Sequence, residues 1–433
     1  MTIVIIGIVM QMAEAKRGKP TPEIEAVARA EGKPVDFIMR GLAAGRIVIP
    51  RNVCRERIDV KGIGQGLSTK VNANVGTSPD YVDIEEEVEK AKIAVKYGAD
   101  TVMDLSIGGD IKEIRRRILS AVAVPLGTVP IYQAGMEAAS QGDIVSMSSD
   151  SIFNAIREHE QDGVDFVTVH CGVTRAAVDA MRRSGRLLDV VSRGGSILAA
   201  WIIHNERENP LYSEFDYLLE LAREFDLTLS LGDGMRPGCL ADASDMPQFQ
   251  ELLTLGELVE RAWAKNVQVM VEGPGHLPLD HVETNVRIEK AVCKGARFYV
   301  LGPLVTDIAP GYDHLVGAIG GAVAAWAGAD YLCTVTPSEH LCLPDVDDVK
   351  EGVIASKIAA HVADLLRGIN SDRDTEMAKA RKKLDWEAQI RNAIDPEKAR
   401  MYHEKRPSTD RNQCSMCGKL CAIKMVNEYL SKV

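Results

Sequence analysis

No basic run of any length occurs in these 433 residues, and acidic side chains outnumber basic ones, 62 to 51, for a formal net charge of −11. That balance excludes nucleic acid or an anionic membrane surface as the main partner and points to a small molecule. A bilayer-spanning run is also missing. The apolar opening, Met1 to Met12, is too short, lacks a basic start and shows no cleavage site, so it reads as a soluble extension. Nor is there a disulfide framework: nine cysteines, an odd number, are scattered from Cys54 to Cys421, which fits a reducing cytoplasm. No repeat of solenoid type, no long disordered segment and no G-x-G-x-x-G after a strand-like run are present, which removes solenoids and dinucleotide sites.

What is present is alternation. A chain of this length with 46% hydrophobic residues holds one large domain of barrel size plus appendages. Residues 1–66 carry two helical patterns, Pro22 to Glu31 and Pro34 to Ala44, then the apolar run Ile47 to Pro50, and form a small N-terminal domain. From Lys70 onward, β-rich runs alternate with helical stretches such as Ile84 to Tyr97, Ser151 to Gln161, Phe215 to Phe225, Gln248 to Lys265 and Val282 to Lys294. Candidate strands are Lys70 to Val75, Thr101 to Leu105, Val124 to Thr128, Phe166 to His170, Val190 to Val191, Thr228 to Leu231, Val267 to Val271, Phe298 to Leu301 and Tyr331 to Val335. This predicts an α/β fold, a (β/α)8 TIM-type barrel over residues 67–368, with one strand candidate too many and a doubly wound sheet as the alternative. Residues 369–433 read as a helical tail behind a polar linker, with one charged helix over Glu376 to Ile394 and Asp395-Pro396 opening another.

Polar and glycine residues recur after the strand candidates, where barrel loops would gather them at one mouth. Val191-Ser-Arg-Gly-Gly-Ser196 suits a phosphate dianion, or is simply a strand-to-helix turn with Ser196 as N-cap. Asp233-Gly-Met-Arg236 suits hydroxyl and phosphate groups, or is an internally paired turn. Glu272 is a candidate general acid/base or amine ligand, equally a paired loop acid. His276 and His340 each follow a strand and could share a divalent metal, although loop histidines more often only hydrogen-bond. Tyr132, Tyr299 and His170 either orient a ring or pack.

Near the C-terminus, Cys414, Cys417 and Cys421 present three thiols separated by two and three residues. Three thiolates hold three irons of a [4Fe–4S] cluster and leave the fourth open to S-adenosylmethionine; the competing reading is a structural zinc tail completed by His403 or a partner's ligand.

Taken in order, Lys70-Val-Asn-Ala-Asn74, Val102 to Ser106, Gly127 to Tyr132, Val191 to Ser196, Leu231 to Gly238, Glu272-Gly-Pro-Gly-His276, Gly302-Pro-Leu, Asp307 to His314 and the terminal cysteines resemble the phosphomethylpyrimidine synthase (ThiC) family of radical-SAM enzymes. The resemblance runs from about residue 10 to Cys421. It implies a cluster-bearing tail that covers a partner's active site in a homodimer, 5-aminoimidazole ribotide as substrate, and a low-potential donor such as flavodoxin or ferredoxin. It implies substrate contacts from Asn74, Met103, Tyr132, His170, Ser192, Arg193, Gly194, Asp233, Gly234, Met235, Arg236, Glu272 and Tyr299. It further implies zinc or ferrous iron at His276 and His340, and a 4Fe–4S cluster on Cys414, Cys417 and Cys421, with S-adenosyl-L-methionine as co-substrate.

Against the family pattern, Ile107 replaces threonine, Thr334 precedes Val335-Thr-Pro337, Pro50-Arg51-Asn52 near the expected entry is followed by Val-Cys54-Arg-Glu, and Lys294 stands where histidine is common. Taken as changes near the site, they favour the paralogous 5-hydroxybenzimidazole synthase of cobalamin lower-ligand formation. The alternative is the pyrimidine phosphate of thiamine biosynthesis. A third reading, from a different class, is a zinc-stabilised sugar-phosphate-binding protein.

Overall fold

Eight short runs that mix apolar and β-branched residues with a few polar ones, each wholly or almost wholly buried, close on themselves because helices cover their outer faces and side chains fill the inside. The computed structural model describes residues 9–408 and 413–430, in two compact units that divide after residue 363. In the first unit, β1 (Ile47–Val48) and β2 (Ile63–Gly64) form an antiparallel pair. The parallel strands β3 (Lys70–Val75), β4 (Thr101–Asp104), β5 (Leu126–Thr128), β6 (Phe166–Val169), β7 (Thr228–Leu231), β8 (Val269–Gly273), β9 (Arg297–Leu301) and β10 (Tyr331–Cys333) follow. They pair in chain order, and β10 returns to β3, so the sheet is a closed eight-stranded barrel rather than a doubly wound sheet.

The surplus strand candidate, Val190 to Val191, is an irregular segment. A closed barrel has no free edge for it to join. The chain just ahead of it is held by Asp242, whose carboxylate accepts the Leu187 and Leu188 N–H groups at 2.8 and 3.0 Å.

Helix starts follow local chemistry. Asp83, Asp110, Ser148, Thr174 and Asp245 each accept a backbone N–H of the first turn of the helix they precede. The core between barrel and helices contains Leu229, Val269, Phe298 and Leu332, and Phe166 fills the barrel interior, all at most 2% exposed.

The N-terminal helices Gln11–Lys16, Pro22–Ala30 and Val35–Ala43 pack around Ile24, Val27, Ile38 and Leu42. The chain after β1 then seals the N-terminal end of the barrel. Ile49 N–H donates to Gln268 Oε1 at 2.8 Å, and Asn52 Nδ2 donates to the carbonyls of Glu160 and Val164 at 2.8 and 2.9 Å. Arg55 Nη1 lies 3.2 Å from Asp165 Oδ2. All these partners precede strands, so Arg51, Asn52 and Cys54 sit at the end opposite the strand-end loops, not near the entry as expected. Lys294, just ahead of β9, lies at that same end.

Two further expectations need correction. The opening is not an extension from Gln11 onward: Met12 is fully buried and Gln11 N–H donates to Asp226 Oδ2 at 3.1 Å, while residues 1–8 lie outside the described residues. The charged helix of the tail is two helices, Asp372–Lys383 and Trp386–Asn392. Leu384 adopts a left-handed φ of +55° that ends the first, and Asp385 caps the second by accepting Ala388 N–H at 2.9 Å. Asp395 and Pro396 open the next helix, Pro396–Lys405, as expected.

Candidate active site

Side chains alternate along each strand, so residues two apart face the same side. Along the C-terminal half of the barrel this brings Asn74 beside Met103, Glu272 beside Tyr299 and Tyr299 beside Tyr331 in register. Above them opens a cavity of about 510 Å³, lined by Asn74, Met103, Tyr132, His170, Asp233, Arg236, Glu272 and Tyr299 among the expected residues. Leu105, Val129, Thr168, Gly273, Val300, Leu301 and Cys333 complete its wall.

The electrostatics concentrate on one wall. Arg236 Nη1 donates to Asp233 Oδ1 at 3.0 Å. Glu272 Oε1 accepts from Thr168 Oγ1 at 2.7 Å and from Ser230 Oγ at 2.6 Å. Burial, then repulsion from Asp233, pushes the Glu272 carboxyl up to about 7; burial likewise raises Asp233. Burial drives His170 down to about 3, so its ring is neutral, and its Nδ1 has no hydrogen-bond partner among the described residues. On the opposite wall Asn72 Nδ2 donates to Tyr299 Oη at 2.8 Å, and Asn74 Nδ2 lies 3.0 Å from Cys333 Sγ. Burial pushes the Cys333 thiol up to about 12, which keeps it protonated.

Ser192, Arg193 and Gly194 do not line the cavity but form the start of helix Arg193–Asn205 beside it. Ser192, not Ser196, is the N-cap: its Oγ accepts Gly195 N–H at 3.1 Å, while Ser196 Oγ turns back to the Arg193 carbonyl. The Arg193 guanidinium lies 5.0 Å from the centroid of Tyr132. Gly194 backs onto His170 so closely that a Cβ there would lie 2.2 Å from His170 Cε1. Gly234 and Met235 also stand outside the lining; both are buried, and their N–H groups are taken by Glu251.

His276 and His340 come together, with ring centroids 5.4 Å apart. His276 Nδ1 meets Asp307 Oδ1 at 2.9 Å and His340 Nδ1 meets Asp313 Oδ1 at 3.0 Å. A carboxylate on each Nδ1 orients the ring and turns Nε2 outward as a ligand, the arrangement common behind metal-bound histidines. Among the described residues no group of three or more His, Cys, Asp or Glu side chains could hold a metal, so water or substrate oxygens would complete the sphere.

In the second unit Cys417 precedes the 3-10 turn Gly418–Leu420 and Cys421 follows it. Cys417 is exposed, Cys414 and Cys421 half-buried, and none is in a disulfide. Three reduced, accessible thiols along one tight loop fit the cluster's donor set. His403, weighed as a zinc ligand, stacks on Trp386 with centroids 4.4 Å apart.

The sequence reading missed Thr168, Ser230 and Cys333. The period-two signal held them: Thr168 and His170, or Tyr331 and Cys333, share a face.

A closed parallel barrel with an ionisable pocket at the carboxyl ends of its strands defines a (β/α)8 enzyme. Residues 10–428 match the model of the radical SAM ThiC family, and the chain belongs to that family. Its relatives include proteins named phosphomethylpyrimidine synthase from Dehalococcoides mccartyi, 57% identical over 97% of this chain and 98% of the relative, and from Desulforudis audaxviator, 58% identical over 98% of each. A protein named phosphomethylpyrimidine synthase 1 from Methanosarcina mazei is 57% identical over 96% of this chain and 97% of its own. These names favour the pyrimidine product over the 5-hydroxybenzimidazole expected first.

Proposed function

We propose that the protein catalyses the radical rearrangement of 5-aminoimidazole ribotide to 4-amino-5-hydroxymethyl-2-methylpyrimidine phosphate, the phosphomethylpyrimidine synthase reaction of thiamine biosynthesis. The observation that carries this reading is the wall on which Asp233, Arg236 and Glu272 meet beside the start of helix Arg193–Asn205. It offers an anion site next to groups that grip a sugar and a nitrogen heterocycle. Two of the departures from the family pattern, at Arg51–Cys54 and Lys294, lie at the closed end of the barrel, which removes much of the case for a different product.

When bound through Cys414, Cys417 and Cys421, the cluster and S-adenosylmethionine supply a 5′-deoxyadenosyl radical. The chain's own residues hold the substrate. Arg193, at a helix N-terminus that itself favours anions, takes the phosphate, with Tyr132 beneath its guanidinium. Asp233 and Arg236 fix the ribose, and Glu272 accepts an N–H of the aminoimidazole. His170, neutral and buried, offers an N–H without adding charge. Met103, Leu105 and Val129 exclude water from the reacting carbons. His276 and His340 would hold zinc or ferrous iron through Nε2.

A homodimer is supported by exposed apolar residues on two adjoining helices: Leu315, Ile319 and Trp326 on Asp313–Ala327, and Ile358 and Val362 on Val346–Leu366. Light scattering of the purified protein should give a dimer that Trp326→Asp converts to monomer; a monomeric wild type would overturn this. The electron donor is a flavodoxin or ferredoxin.

The deciding experiment is anaerobic incubation of cluster-reconstituted protein with the ribotide, S-adenosylmethionine and dithionite, followed by mass spectrometry. The pyrimidine phosphate is expected, and 5-hydroxybenzimidazole would overturn the product assignment. Cys417→Ala should lose absorption at about 400 nm and all 5′-deoxyadenosine formation.

A further inference from the structure

The loop that carries Asp233 and Arg236 is gripped from two sides, along the backbone of Gly234 and Met235, by residues outside the cavity. Glu251, buried on helix Met246–Ala264, accepts Gly234 N–H at Oε1 (2.8 Å) and Met235 N–H at Oε2 (2.7 Å). From the other side, Arg186 Nη2 donates to the Met235 carbonyl at 2.6 Å. The Arg186 side chain is 1% exposed and is itself fixed by two bonds to Asp245, at 2.6 and 2.8 Å.

The space around the loop is equally constrained. A Cβ on Gly234 would lie 2.1 Å from Val173 Cγ2, and a Cβ on Gly195 would lie 2.2 Å from the Gly234 carbonyl oxygen. The loop therefore rests directly on the start of helix Arg193–Asn205. Its two central N–H groups are consumed by Glu251, and Met235 is fully buried. What the loop presents to a ligand is its ends, Asp233 and Arg236.

We infer that Glu251 and Arg186 are positioning residues, a clamp on the backbone of Gly234 and Met235 that sets the pose of Asp233 and Arg236 for substrate. This rests on the function proposed above. The chemistry requires a carboxyl on one side and a guanidinium on the other. Two adjacent N–H donors need two acceptors, and a glutamine at position 251 would turn its NH2 against one of them. The arginine fork reaches a carbonyl and a carboxylate together, which lysine does not.

The test is hydrogen exchange of the full-length protein, read by mass spectrometry over 232–238, together with steady-state kinetics. Glu251→Gln should accelerate exchange there about tenfold or more and raise KM for the ribotide about tenfold, with kcat changed much less. Arg186→Lys should move both quantities the same way, and it decides the matter if Glu251→Gln does not fold. Unchanged exchange in a folded variant, or faster exchange with unchanged KM, overturns the clamp. Wild-type protein that neither binds nor converts the ribotide would overturn the proposed substrate instead, and the exchange data would still decide whether the peptide is held as described.

Discussion

His276 and His340 stand 5.4 Å apart between ring centroids although 63 residues separate them in the chain, because β8 and β10 each deliver one to the same side of the mouth. Asp307 does double duty there: Oδ1 meets His276 Nδ1 and Oδ2 accepts Leu240 N–H at 2.8 Å. Asp307→Asn should weaken binding of zinc or ferrous iron about 10- to 100-fold, and His340→Ala should remove it, as followed by metal analysis after dialysis. Full metal occupancy in His340→Ala would refute the two-histidine site.

A single methyl group on Gly194 should disturb substrate binding without unfolding the protein. The added Cβ of Gly194→Ala would lie 2.2 Å from His170 Cε1 and 2.5 Å from Nδ1, so the ring must move toward the cavity. An increase of KM by about tenfold at unchanged thermal midpoint is expected. An unaltered KM would mean that His170 has room to retreat elsewhere.

Glu272 gives the reaction a pH dependence with a definite sign. Its carboxyl, pushed up to about 7 by burial and by Asp233, is protonated below that pH and becomes a charged, acceptor-only carboxylate for a substrate N–H above it. The pH profile of kcat/KM should therefore rise through about 7. Glu272→Gln should be slower at every pH and lack this rise; a variant that keeps the rise would assign it to another group.

Far from the mouth, Glu160 should make the protein less stable as pH increases. Both its carboxylate oxygens are buried with no partner among the described residues, and burial, then Glu224, raises it to about 8. The unfolded chain releases this proton near the ordinary glutamate value of about 4.3, the folded chain only near 8, so stability falls across that interval. Glu160→Gln should raise stability at pH 8.5 by on the order of 3 kcal/mol and have little effect at pH 4.5, measured by urea unfolding. Equal effects at both pH values would show that the group is already ionised when folded.

Much of this architecture is written locally. The alternation of β-rich and helical runs predicts an α/β fold with a parallel sheet, and eight of the nine strand candidates are strands, short β-rich runs each set between helical stretches. Cys414, Cys417 and Cys421 are brought together by spacing alone, since ligands within one short loop need no folding to meet, but that spacing left cluster and zinc both open and the family match is what favours the cluster. Capping is equally local, as at Asp395 and Pro396. Closure of the sheet is not. It excluded Val190 to Val191, placed Arg51 to Cys54 at the end opposite the mouth, and buried Met12, because each outcome depends on partners distant in the chain, such as Asp165 for Asn52 and Asp226 for Gln11. The same holds for the site. That Glu272 leans on Thr168 and Ser230, that Glu251 and Arg186 both hold Met235, and that His276 faces His340 are all set by which strands lie side by side, and a closed barrel decides that for the whole ring at once.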